Sequence, residues 1–210
     1  LAKEVYTPMK KYSKVAEMYV EALSRTEGLT LDSRSTFKNN QEYVNNVHEA
    51  IRLEGYEEYN QGVEFHLKNK KNKAISKFEL TVKLVPGFIK PFINLSKITM
   101  SDEDYDKASG YIEKGLEIVK KQVEEIALKI NDGKNSKEIL QEDLKEIKTD
   151  ENELNALKAI CLTQLGKSDD AIVLLNSINS DDELTQINIK KQIFNITLDQ
   201  EDYEKAITLG

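Results

Sequence analysis

Residues 62–86 read GVEFHLKNKKNKAISKFELTVKLVP. The middle of this stretch, Lys68-Asn69-Lys70-Lys71-Asn72-Lys73, is too polar to be buried. It is expected to be a solvated turn between two helices rather than an anion or lipid-headgroup contact. Upstream of the turn, Gly62 and Phe65 set a small and a large residue at helical spacing, and downstream Ala74 and Phe78 do the same. Pro86 then stops the second helix. Small residues let two antiparallel helices approach closely, and large ones fill the gap to the next pair.

The same contexts return along the chain at Ala74-Ile75, Ala108, Ala171-Ile172 and Ala206-Ile207. Ala74 and Ala108 stand 34 residues apart, and Ala171 and Ala206 stand 35 apart. Gly62, Phe65, Ala74, Phe78 and Pro86 make one unit. Phe92, Leu95, Tyr105, Ala108 and Ile112 make a second, Ala159, Leu162, Leu165-Gly166, Ala171 and Leu175 a third, and Tyr203 with Ala206 a fourth. In period and in these positions the chain resembles the tetratricopeptide-repeat family over residues 55–118 and 152–210. It departs from the family pattern at Glu58, which stands at the Trp position, and at Ser96, which stands at the Gly position. The resemblance implies an all-α fold, a right-handed solenoid of helix pairs.

Outside those units the periodicity is still helical. Thr7-Pro8 reads as a helix start, followed by Tyr12, Val15, Ala16, Tyr19, Val20 and Leu23. Ser24 to Asn40 reads as a polar loop. Tyr43, Val44, Val47, Ala50, Ile51 and Leu53 mark a further helix that Gly55 is expected to break. Residues 1–54 are thus expected to form a degenerate capping pair, ahead of two repeats in 55–118.

Ala108 and Ala171 lie 63 residues apart, which is 29 more than one period. The excess is helical too. Ile112, Leu116, Val119, Val123, Ile126 and Ile130 follow steps of four and three, the seam of a coiled coil. Asn131-Asp132-Gly133 supplies a turn, Asn135-Ser136 a cap, and Leu140, Leu144, Ile147 and Leu154 a returning stripe interrupted at Glu151. Residues 119–151 are therefore expected to form an antiparallel helical hairpin, an arm about 20 Å long at about 1.5 Å per residue. Residues 152–210 then hold two more repeats. The last helix is expected to be truncated, because Gly210 follows Ala206 by only four residues.

Hydrophobic residues make up 39% and charged residues 32% of the 210, which is a globular balance. The net charge of −7 argues against nucleic acid, which needs a basic face. Cys161 is the only cysteine, so no intrachain disulfide forms; between Ile160 and Leu162 it reads as a small core residue. No apolar run approaches the roughly 18 residues of a membrane span, and no signal peptide is visible. The chain opens at Leu1 rather than Met, so an upstream targeting segment stays open, and so does the compartment: the cytoplasm or a cell envelope. Usage rich in Asn, Lys and Ile has the look of an AT-rich bacterial genome.

Catalytic constellations are missing. His48 and His66 fall in no metal-ligand spacing. Gly110 to Gly115 imitates the front of a phosphate-binding loop, but Leu116 replaces the lysine and the stretch lies in an expected helix. Asp102, Asp104, Asp106 and Glu113 match calcium-loop positions, but Lys107 replaces the turn glycine, so these acids are read as favouring a helix N-terminus. Neither a cofactor nor a metal is expected.

The family resemblance implies a concave groove lined by the first helix of each pair and binding an extended peptide or a helix. By register the groove candidates are Tyr59, Val63, His66, Ile93, Asn94, Lys97, Met100, Ile160, Lys191 and Asn195. The apolar ones among them could equally pack in the core. The carboxylate clamp of chaperone-binding members is not expected. Asn94 fits it, but Tyr59 and Val63 occupy the first unit's clamp positions, and Glu153 and Leu157 replace the later basic residues. The expected function is a non-enzymatic scaffold or adaptor that binds another protein through the groove, the hairpin or both, in a bacterial setting an envelope assembly. The alternative is a self-association module that forms a homodimer along the coiled-coil seam.

Overall fold

The computed structural model describes residues 34–132, 137–180 and 182–200, and these are all-α: seven helices, with no strand among them. We number them α1 (Arg34–Leu67), α2 (Lys71–Leu84), α3 (Lys90–Met100), α4 (Tyr105–Asp132), α5 (Lys137–Gln164), α6 (Ser168–Ser177) and α7 (Glu183–Asp199). They fall into two compact units, divided between Phe88 and Ile89. The expected helix from Thr7 to Leu23, the Asn135-Ser136 cap and the final repeat residues Tyr203 and Ala206 lie outside the described residues.

In the first unit α1 packs along α2. Two expectations need correction here. The helix already runs at Arg34, so residues 34–40 are not loop. It also continues through Gly55, so 41–54 is not a separate helix and the boundary expected at residue 54 falls inside α1. Gly55 marks a close approach rather than a break. A Cβ built on it would stand 2.3 Å from Val85 Cγ2 and 3.3 Å from Leu84 Cβ, at the end of α2. A helix tolerates a glycine at a cost of about 1 kcal/mol, and here the missing side chain lets the two helices meet.

Ala74 and Phe78 are fully buried. Tyr59 stacks against Phe78 and Phe88, with ring centroids 5.6 and 4.8 Å apart. Glu58 is 6% exposed and accepts a 2.6 Å ion-paired hydrogen bond from Lys77 Nζ, so an ion pair joins the two helices. The basic turn is confirmed at Lys68 and Asn69, where Asn69 takes a φ of 55°, but Lys71 to Lys73 already belong to α2.

In the second unit α3, α4 and α5 share a core of Ile89, Ile93, Ala108, Ile112, Val119, Leu154, Leu157 and Cys161. Each fully buried aliphatic side chain contributes roughly 1.5–3 kcal/mol of hydrophobic stabilisation. Helices α4 and α5 run back along each other, each 28 residues long. At their far end Ile126 and Leu140 are buried, whereas Leu128 and Ile139 are 67% and 61% exposed. A second core joins α5, α6 and α7 through Ala159, Ala171, Ile172, Leu175, Ile189, Ile193 and Ile196. Ser96 fits its fully buried site because its hydroxyl donates back to Phe92 O at 2.7 Å. No helix among the described residues is long and apolar enough to cross a membrane.

Candidate functional site

The α6–α7 connection fixes one end of a groove. Asp182 caps α7, its Oδ2 accepting from Thr185 N and Thr185 Oγ1, both at 2.7 Å. These hydrogen bonds hold the Asp182 carboxyl below its ordinary range. Gln186 Nε2 donates to Ser180 O at 2.8 Å and ties the connection to the first turn of the helix. From that anchored end, α7 runs beside the base of α5 and encloses a cavity of about 910 Å³. A second cavity of about 930 Å³ lies on the other flank of α5, against α4. The two share Lys145, Thr149, Asn152, Ser180 and Asp182, and so form one continuous channel around that face of α5.

The channel is lined with carboxamides. Along α7, Asn188, Gln192 and Asn195 face the first cavity at steps of four and three, one helical stripe. Opposite them on α5, Asn152 faces both cavities. Asn152 is only 9% exposed. Gln192 Oε1 is fully buried and lacks a protein partner among the described residues. Leaving a buried polar group unpaired costs about 1–3 kcal/mol, so this oxygen calls for a group or water that pairs it. Each carboxamide offers two donors and an acceptor with two lone pairs, the complement of a polypeptide main chain.

The charges at the rim are arranged unevenly. Glu153 accepts an ion pair from Lys97 of α3 at 2.5 Å, and Asp182 is engaged by the α7 cap. Lys90 pairs with Glu146 at 2.8 Å nearby. Asp150, on the face of α5 toward these residues, is buried, and burial pushes its carboxyl above the ordinary range; Lys90 opposes this, and Glu146 and Glu153 add to it.

The ten residues expected to line a groove separate into groups. Tyr59, Val63 and His66 belong to α1 in the first unit, where Tyr59 and Val63 are half-buried and His66 is exposed. The other seven belong to the second unit. Lys191 and Asn195 line the α5–α7 cavity, and Lys97 reaches its edge through Glu153. Ile160 is half-buried one helical turn beyond Ala156, on the stripe of α5 that faces the cavity. Asn94 donates to Lys90 O at 3.0 Å, within its own helix. Ile93 needs correction: it is 4% exposed and part of the core, because its step along α3 points it at α4 and α5. Met100 packs against the same core.

Asn152, Asn188 and Gln192 were not among the expected residues. The stripe Asn188, Gln192, Asn195 is a signal readable in the sequence; the place of Asn152 opposite it is not. Of the acids at calcium-loop spacing, Asp104 caps a helix. Asp104 Oδ1 accepts from Lys107 N at 3.1 Å at the start of α4, after Glu103 at a φ of 59°. No protein-family model matches the chain, and no curated protein matches it significantly.

Proposed function

We propose that this protein is a non-enzymatic scaffold or adaptor that holds a segment of a partner protein in the channel around α5. In this reading the helices are pairs of a tetratricopeptide-type array, and α4 and α5 are neighbouring repeat helices lengthened into a hairpin. The observation that carries the reading is the carboxamide lining of the groove, Asn152 of α5 with Asn188, Gln192 and Asn195 of α7, among which Gln192 Oε1 is buried with no protein partner. A groove built to hold nothing would be expected to satisfy that oxygen internally. Helical faces of this kind recognise polypeptide by supplying groups to its main chain and pockets to its side chains.

The test is capture from cells by the intact chain and by the double variant Asn152→Leu, Gln192→Leu. The variant removes both polar groups while keeping apolar bulk, and it should melt no lower than the parent. Loss of the captured protein by a variant that folds normally supports the reading. Equal capture by both forms sinks it.

A second reading is self-association along the hairpin, and one observation favours it. Leu128 and Ile139 are large, apolar and well exposed at the far end of α4 and α5. The mass in solution of the parent and of Leu128→Glu, Ile139→Glu separates this reading from the first.

A further inference from the structure

The turn between α1 and α2 runs against the charge of the whole chain. Between Glu64 and Glu79 the sequence holds five lysines and no acid, although the net charge is −7. Lys77 pairs with the buried Glu58, and Lys68 with Glu64. Lys70 and Lys73 are exposed, with Lys71 between them in sequence. Helix α2 opens on Lys71 and has no acid in its first turn. A helix N-terminus carries partial positive charge and ordinarily draws acids, so these lysines add to a potential that folding alone disfavours.

Leu67, the last residue of α1, stands at the same tip. It is 78% exposed, more than any other large apolar side chain among the described residues. The backbone fixes the turn that follows it. Lys68 N donates to Glu64 O at 3.1 Å, Asn69 N to His66 O at 2.9 Å and Lys70 N to Phe65 O at 2.8 Å, with Asn69 at a φ of 55°. The Lys73 ammonium lies 5.6 Å over the Phe65 ring. The cations and the leucine are thus presented together on a formed turn.

We infer that the α1–α2 tip rests on an anionic lipid surface, with Leu67 entering the boundary between headgroups and acyl chains and Lys70, Lys71 and Lys73 pairing with headgroup phosphates and carboxylates. This goes beyond the channel around α5 and does not depend on it. The sequence alone favours plain solvent at this turn; the exposure of Leu67 is what it does not disclose. An anionic bilayer attracts a basic segment within about one Debye length, about 8 Å at physiological salt, so acids farther away are screened and the net charge does not forbid the contact. An acidic protein would satisfy the lysines but leave Leu67 in water unless it offered a matching pocket, whereas a lipid surface takes up a leucine anywhere. One leucine and three lysines make a weak, reversible contact rather than an anchor.

The test is co-sedimentation of the full chain with phosphatidylcholine vesicles, with and without phosphatidylserine. The chain should sediment with the phosphatidylserine vesicles only, and less of it as salt is added. Lys70→Gln, Lys73→Gln should weaken binding roughly thirtyfold, the effect of about 1 kcal/mol for each lysine near an anionic surface. Leu67→Gln should weaken it about tenfold, less than full burial of a leucine would give. Both variants should melt close to the parent, because all three side chains are exposed. The chain has no tryptophan, so Leu67→Trp is a lone reporter. Its emission should move to the blue on phosphatidylserine vesicles, and that of Val173→Trp, at an exposed position outside the turn, should not.

Equal sedimentation with both vesicles, sedimentation with neither, or binding that survives loss of Lys70 and Lys73 overturns the inference. So does a Leu67→Trp emission that stays unmoved on bound vesicles while polyglutamate in solution competes for the chain. The partner would then be a polyanion in solution rather than a lipid surface.

Discussion

Gly62 of α1 lies against the Phe78 ring of α2 so closely that a Cβ added to it would stand 2.7 Å from Cε1 and 2.8 Å from Cδ1. Phe78 is fully buried and flanked by Tyr59, so the ring has little room to withdraw. Gly62→Ala should therefore destabilise the chain by about 1–3 kcal/mol, although alanine is the better helix former. Gly110 provides the contrast. It also lies inside a helix, α4, but nothing stands within 4 Å of a Cβ built there. Gly110→Ala should stabilise by about 0.5–1 kcal/mol. Thermal melts of the two variants measure the signs directly, and like signs would contradict the packing described for α1 and α2.

Ala108 and Ala171 sit one in each of the two cores of the second unit, and both are fully buried. Enlarging either to leucine should cost about 1–3 kcal/mol through overpacking. Leucine at the exposed Val173, two residues on from Ala171, should change stability by less than about 0.5 kcal/mol. Denaturant midpoints compared at a constant m-value check this.

Asp150 gives a prediction with a definite sign. Burial raises its folded-state pKa above the unfolded value, so ionisation opposes folding. The penalty is absent below the unfolded-state pKa of about 3.9 and is complete above the raised folded-state value. Asp150→Asn has no charge to desolvate. The variant should be more stable than the parent at neutral pH, and its advantage should disappear as the pH falls into the acid range. If the parent is instead the more stable at neutral pH, attraction to Lys90 outweighs burial at this site.

Much of the fold was legible because helix packing leaves a periodic record. The alanines at 74, 108 and 171 are all fully buried, and the seam from Ile112 to Ile126 does run along a long helix paired with its successor. Gly55 misled for a physical reason. The same missing side chain that weakens a helix also admits a neighbour, and only the position of Val85 tells which applies. Ile93 misled because one helix face serves both core and surface over a few tens of degrees. The engaged state of Glu153, and the place of Asn152 opposite the α7 stripe, depend on contacts between helices far apart in sequence. Residue identity alone carries no trace of them.

The hairpin should loosen from its tip. Beyond Val119 and Leu154, the buried apolar side chains of α4 and α5 thin to Ile126 and Leu140, with Leu128 and Ile139 open to solvent. Amides near Ile126 and Leu140 should exchange through local opening much faster than those near Ile112 and Leu157. Native-state hydrogen exchange resolves this, and uniform protection along both helices would mean that the tip is covered in solution.

The central claim is that the channel around α5 holds partner polypeptide. Photo-crosslinking in cells tests it most directly, with a photoreactive side chain placed in turn at Asn188 and Asn195, both exposed in the groove. Control positions are Glu113 and Val173, exposed and outside the channel. The account predicts that both groove positions cross-link to the same polypeptide and that the controls do not. Cross-links that are no stronger from the groove than from Glu113 and Val173, or that lead only to a second copy of this chain, would contradict it.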